Sequence, residues 1–214
     1  MKRSLAHIYF RSVTLIILII LLALIYGSEV SAKTYAYIVA DARDGKILNS
    51  HNSNQIIHPA SLTKMMTLYL AFDAIRQGRL KLDQRAIISK NATLEPPSKF
   101  WYKPGQRVSI RYLIRASAIR SANDAATALG EAISGSEKKF IKDMNIAAKK
   151  MGMNSTKFKN AHGLTEMGHY STAKDMLLLA RRLMLDYPEY FNICLLYTSP
   201  SPRDATLSRM PSSA

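Results

Sequence analysis

Pro59-Ala60-Ser61-Leu62-Thr63-Lys64-Met65-Met66 is the stretch that decides how this chain is read. It sets a serine and a lysine three residues apart where an apolar helix begins, and residues at that spacing share a helix face. Apolar residues follow at Leu62, Met65, Met66, Tyr69, Leu70, Phe72 and Ile75, until Gln77-Gly78 supplies a stop. A helix apolar nearly all round is predicted to lie buried at the centre of its domain. A lysine held there is poorly solvated, so its proton affinity falls and it becomes a base for a neighbouring hydroxyl. The helix N-terminus adds amide dipoles that favour negative charge near Ser61. A serine with its own base is the apparatus of acyl transfer.

The spacing alone is not specific. Ser136-Glu137-Lys138-Lys139 and Ser171-Thr172-Ala173-Lys174 satisfy the same S-x-x-K pattern. Both stand at polar helix starts, where serine caps and lysine is solvated. Only Ser61 opens a buried helix. Sixty residues further on, Ser121-Ala122-Asn123 interrupts two helical segments, and its alternate residues are expected to face one cavity, where a serine relays a proton and an amide holds a substrate amide. Ser50-His51-Asn52 has the same spacing and reads as a turn.

Around this centre the segment from 33 to 193 alternates short strands with helices. Lys33 to Ala40 and Lys46 to Leu48 form the arms of a hairpin turned by Asp41-Ala42-Arg43-Asp44-Gly45, and Leu82 to Ser89 holds a short strand. Glu95-Pro96-Pro97-Ser98 breaks the chain. Helices are predicted from near Ser109 to Ile119, over Ala125 to Ile133, over Ser136 to Met151 with a lysine-rich outer face, and over Ala173 to Leu185 behind a Thr172/Asp175 capping box. Met153 to Tyr170 reads as an irregular loop. His162 within it and the Phe100-Trp101-Tyr102 cluster are expected to be structural, the latter packed.

The ends differ from this middle. Lys2, Arg3 and Arg11 precede an apolar run from Val13 to Tyr26, which closes in small residues through Ala32. Residues 1–32 therefore read as a secretory signal peptide, since 14 apolar residues fall short of the ~20 that a spanning helix needs. Cys194 to Asp204 resembles a translated transposase sequencing adapter, and Ser208 to Ala214 resembles the flow-cell adapter that follows it. Residues 194–214 are accordingly expected to be non-native, with the coding sequence cut near Ile193. The chain's only cysteine, Cys194, lies in that tail, so the exported segment relies on its core rather than on disulfides.

The net charge is +15, of which the leader contributes +2 and residues 194–214 contribute +1, leaving +12 on residues 33–193. Export and the lack of interleaved aromatics exclude nucleic acid, and the basic surface suits solvent, an anionic membrane or a wall polymer.

Ser61-Leu62-Thr63-Lys64, Ser121-Ala122-Asn123, Asn160-Ala161-His162-Gly163-Leu164 and His169-Tyr170-Ser171-Thr172-Ala173-Lys174-Asp175 together resemble the low-molecular-mass penicillin-binding proteins of the serine D-Ala-D-Ala carboxypeptidase type. The resemblance implies an α/β (α+β) fold of the β-lactamase/transpeptidase kind, a helical cluster against an antiparallel sheet whose later strands are missing here. It implies Ser61 as acylating nucleophile, Lys64 as base, Ser121 in proton transfer and Asn123 in substrate binding. The implied substrate is the peptidoglycan stem pentapeptide, with β-lactams as acylating inhibitors and no metal or cofactor. The implied location is the periplasm or the outer face of the bacterial cytoplasmic membrane, with a membrane contact through a lost C-terminal anchor.

One departure is large. The K-T-G element of these enzymes occurs nowhere in residues 33–193. The 214-residue product is therefore expected neither to fold stably nor to acylate. A β-lactamase reading is set aside because Glu166 lacks an E-x-x-L-N setting; an endopeptidase or a non-hydrolytic penicillin sensor would use the same residues.

Overall fold

A computed structural model describes residues 13–19 and 35–195. Residues 13–19, part of the expected leader, are helical and exposed; the rest of residues 1–34 and residues 196–214 lie outside the described residues, so most of the leader and most of the tail do too. No helix among the described residues is long and apolar enough to cross a membrane.

The main unit runs from Tyr35 onward. Strand β1 (Tyr37–Ala40) pairs antiparallel with β2 (Ile47–His51), in register Tyr37 to His51 and Ala40 to Ile47. The turn between them closes because the Asp41 carboxylate accepts the Arg43 N–H at 2.8 Å and the Asp41 carbonyl accepts the Gly45 N–H at 2.8 Å. A 3-10 turn (Ala60–Thr63) then leads into helix α1 (Lys64–Arg76). Strand β3 (Arg85–Ile87) pairs antiparallel with β4 (Arg107–Ser109), and a short helix α2 (Lys90–Leu94) lies between them in sequence. The helices α3 (Ile110–Ile119), α4 (Asn123–Ser134), α5 (Glu137–Lys150), α6 (Ala173–Asp186) and α7 (Pro188–Leu195) complete the order.

Local sequence sets the helix ends. Ser89, Ser109, Ser136 and Thr172 each cap a helix by accepting the backbone N–H three residues on. Ser136 is thereby accounted for, and Thr172 caps the helix that follows Ser171. Gly135 ends α4 in the left-handed conformation.

Helix α1 is the hub, packing on α3, α4, α5 and α6. Met66, Ala71, Phe72 and Ala74 are sealed from solvent, and with Leu113, Leu129, Phe140, Met144, Phe158 and Tyr187 they form one core. Burying side chains of this size contributes roughly 1.5–3 kcal/mol each, which is what holds the central helix in place. Helices α4 and α5 approach closely because residue 130 is glycine; a Cβ there would run into the Phe140 ring.

The expected elements are present, with three differences. The region before Pro104 and Gly105 yields a helix at Lys90–Leu94, and β4 pairs across 20 residues with β3, a long-range contact that no local pattern encodes. Trp101, expected to pack, is 69% exposed, with Lys99 Nζ over its indole face at 4.4 Å. The described residues form two two-stranded sheets rather than one sheet behind the helices.

Candidate active site

Ser61 lies in the 3-10 turn just ahead of α1, on exposed backbone, while Lys64 is the first residue of α1 and is 3% exposed. Ala60 adopts a left-handed φ of 47°, an uncommon conformation for a residue with a Cβ. The turn bends there so that Ser61 faces a cleft instead of continuing the helix inward. Thr63 and Thr67, on the buried side, anchor it: Thr67 Oγ1 donates to the Ala161 carbonyl at 2.6 Å.

Ser121 and Asn123 arrive from the break between α3 and α4. Ser121 takes a left-handed φ of 52° and its hydroxyl donates to Ser61 Oγ at 3.0 Å. Asn123 starts α4, and its Oδ1 accepts from Lys64 Nζ at 2.8 Å. Its own amide is fixed by Nδ2 donating to the Pro96 carbonyl at 2.8 Å, and its backbone N–H donates to the Ser98 carbonyl at 2.7 Å. Asp124 secures the same 96–100 segment by accepting the Phe100 N–H at 3.0 Å. Four residues drawn from two sequence regions thus meet in one place.

The second acceptor of Lys64 Nζ is the His162 carbonyl, at 2.8 Å. Burial lowers the lysine pKa to about 8, against the opposing pull of the Glu95 charge. Near physiological pH roughly a tenth to a fifth of the amine is therefore neutral, far more than an unperturbed lysine offers. Lys64 Nζ bonds to Asn123 and His162, and the group on Ser61 Oγ is Ser121. Ser61, Lys64 and Ser121 line one cleft of about 460 Å³, whose other walls are Pro59, Leu62, Met65, Leu68, Ser117 and Ala118.

The 160–164 loop backs the lysine. His162 Nδ1 accepts the Leu164 N–H at 3.2 Å, so the ring proton sits on Nε2 and is donated to Glu95 Oε2 at 3.0 Å. Burial raises the Glu95 pKa, but the hydrogen bond from His162, the Thr127 hydroxyl and the Lys64 charge outweigh it and hold the carboxyl below its ordinary value. Gly163, at φ +93°, packs on the Ala60 backbone. Asn160 Oδ1 ties the loop by accepting the Gly163 N–H at 2.7 Å.

The His162 ring pairs with Glu95, and its carbonyl touches Lys64 Nζ directly, a contact no side-chain pattern announces. Glu95, the Pro96 carbonyl and Gly163 were likewise outside the residues read as functional, although Gly163 lies within the quoted 160–164 stretch. Glu95, Glu137 and His162 bring ligand-type atoms within 4.8 Å of one another, a spacing a metal can span, but Thr127, Asn91 and the Leu164 N–H already engage these side chains. Glu166 is exposed and accepts from Asn160 Nδ2 at 3.2 Å, away from Ser61's partners.

A serine at the head of a buried helix, its lysine one turn on and a Ser-x-Asn element facing both define the class of active-serine, penicillin-recognising acyl-transfer proteins. Within that class the chain belongs to the D-alanyl-D-alanine carboxypeptidase family Peptidase_S11, whose model matches residues 25–201. It is 39% identical over 157 residues to the D-alanyl-D-alanine carboxypeptidase DacF of Bacillus subtilis (strain 168), a match covering 73% of this chain and 40% of that protein. The fold is similar to the crystal structure of the D-alanyl-D-alanine carboxypeptidase DacD from Francisella tularensis, with a TM-score of 0.73 at 38% identity, covering 78% of this chain and 40% of that one. It is also similar to penicillin-binding protein D2 from Listeria monocytogenes in its ampicillin-bound form, with a TM-score of 0.67 at 32% identity, covering 77% and 67%. The chain spans about two fifths of the length of the curated relatives it matches.

Proposed function

We propose that this chain carries the nucleophile and base of an exported serine carboxypeptidase that removes the terminal D-Ala from peptidoglycan stem pentapeptides. The supporting observation is the buried Lys64, with its pKa lowered to about 8, on the cleft where Ser121 holds the Ser61 hydroxyl.

In this reading neutral Lys64 accepts the Ser61 proton as Ser61 Oγ attacks the carbonyl carbon of the D-Ala-D-Ala bond. The C–N bond breaks, and the departing amine of D-Ala takes a proton passed from Lys64 through Ser121. Water then hydrolyses the Ser61 ester. Asn123 holds the lysine through Oδ1, and to bind substrate its Nδ2 would exchange the Pro96 carbonyl for a substrate carbonyl. A β-lactam acylates the same hydroxyl. Oxyanion stabilisation needs preorganised donors, of which the Ser61 N–H supplies one.

The same proposal assigns residues 1–32 to export beyond the cytoplasmic membrane, residues 33–193 to the N-terminal part of the peptidase domain, and residues 194–214 to a non-native tail. Sequencing the gene from its source tests the last point, since genuine codons 194–214 would overturn it. The enzymatic point is tested by D-Ala release from a D-Ala-D-Ala peptide with the product of the gene's whole reading frame. Release that Ser61→Ala abolishes supports the reading. Release unchanged by Ser61→Ala, or a lasting acyl-enzyme that frees one D-Ala per Ser61 and never turns over, sinks it.

A further inference from the structure

The turn bearing Ser61 is gripped on both sides by a single residue, His169. Three residues before Ser61, His58 Nδ1 donates to the His169 carbonyl at 3.0 Å. Two residues after it, Thr63 Oγ1 is hydrogen-bonded to His169 Nε2 at 3.0 Å. Between these grips lies the strained Ala60, with Gly163 against its carbonyl.

His169 is itself well anchored. It is 1% exposed, its ring meets the Phe158 ring edge-on at 5.9 Å between centroids, and its neighbours Tyr170 and Ser171 form isolated antiparallel bridges to Lys157 and Ile57. Its Nδ1, also buried, has no hydrogen-bond partner among the described residues. Leaving a buried ring nitrogen unpaired is unfavourable. An apolar residue of similar volume would fill the space without that penalty, so the Nε2–Thr63 bond is what the imidazole adds. Thr63 is fully buried, and its hydroxyl can donate or accept, so either neutral tautomer makes the bond.

We propose that His169 is a positioning residue for the nucleophile: it clamps the Ser61 turn from both ends and keeps Ala60 in the left-handed conformation that aims Ser61 into the cleft. Burial lowers its pKa, so the ring is held neutral; Glu166 opposes this, and His162 and His58 reinforce it. The acylation arm of the test rests on the proposed function; the exchange arm does not.

The test uses the full product of the reading frame with His169→Ala, His169→Gln and Thr63→Val. Glutamine places an amide N–H where Nε2 stands and keeps the backbone carbonyl for His58. Amide exchange of Leu62, whose N–H donates to the Pro59 carbonyl at 3.1 Å, reports opening of the turn. Loss of one buried hydrogen bond is expected to speed that exchange about tenfold in His169→Ala and in Thr63→Val, with His169→Gln within about twofold of the parent. Acylation of Ser61 by benzylpenicillin is expected to slow in parallel, in its rate constant rather than in its binding constant. Equal behaviour of His169→Gln and His169→Ala, or exchange at Leu62 unmoved by every variant, overturns the clamp. If the parent protein fails to acylate, the functional reading falls and the clamp is judged on exchange alone.

Discussion

Gly163 packs so closely on the strained Ala60 that a Cβ at position 163 would collide with the Ala60 carbonyl oxygen and reach Thr63 Oγ1. The loop that supplies the His162 carbonyl to Lys64 is therefore the loop that shapes the Ser61 turn, and the proposed base and nucleophile are positioned by the same loop.

Gly163→Ala combines overpacking against backbone with a φ of +93° that disfavours any Cβ. It is expected to destabilise the protein by about 2–4 kcal/mol. Thermal denaturation checks this; a melting temperature unchanged from the parent would contradict the contact.

Lys64 must be neutral to act as a base, so the acylation rate is expected to rise with pH and level off above about 8. The Glu95 charge favours the protonated lysine, and Glu95→Gln is expected to move the rising limb to lower pH. A pH profile of penicillin acylation for both proteins measures the two midpoints, and a limb that moves upward in the variant would reverse the assignment.

Ser121 is half-buried and touches Ser61 Oγ, whereas Asn123 is buried between Lys64 and Pro96. Ser121→Ala is expected to slow acylation by about a hundredfold or more with little change in melting temperature. Asn123→Ala leaves the Lys64 ammonium and the Pro96 carbonyl each short of a partner and is expected to cost about 2–3 kcal/mol of stability as well. Equal stability losses in the two variants would argue against separate roles.

The 214-residue chain lacks the K-T-G element. Its hairpin leaves Val39, Ile47 and Leu48 exposed, and Leu62 at the mouth of the cleft is 49% exposed. Its first strand packs on α6, but a two-stranded hairpin with apolar residues left open is marginal in water. This polypeptide is expected not to be labelled on Ser61 by a fluorescent penicillin, and a labelled band lost in Ser61→Ala would refute that.

The apolar periodicity from Leu62 to Ile75 was enough to place α1 at the centre, because a helix without a polar face has nowhere else to go. Serine and threonine caps marked the starts of α3, α5 and α6 for an equally local reason, since a side-chain oxygen satisfies an orphan N–H within three residues. The Ser136 decoy was separable on the same grounds, whereas Ser171, expected to cap a polar helix start, is buried with its hydroxyl bonded to Thr156 Oγ1 at 2.8 Å and leaves the cap to Thr172. Trp101 was misread because a cluster of three aromatics does not reveal which one the backbone turns outward; here a left-handed residue 101 sends the indole to solvent while Phe100 and Tyr102 stack at 5.8 Å.

By itself the sequence nominated Ser61, Lys64, Ser121 and Asn123, the residues proposed to carry the chemistry, and the fold brings these four side chains together. Tertiary structure alone decided what tunes them. The carbonyls of His162 and Pro96, the Glu95–His162 pair, the Gly163–Ala60 contact and the His169 grip join segments up to 111 residues apart, and several act through backbone atoms common to every residue. A carbonyl has no signature in a sequence, and the lowered pKa of Lys64 comes from desolvation that exists only once the helices have closed around it.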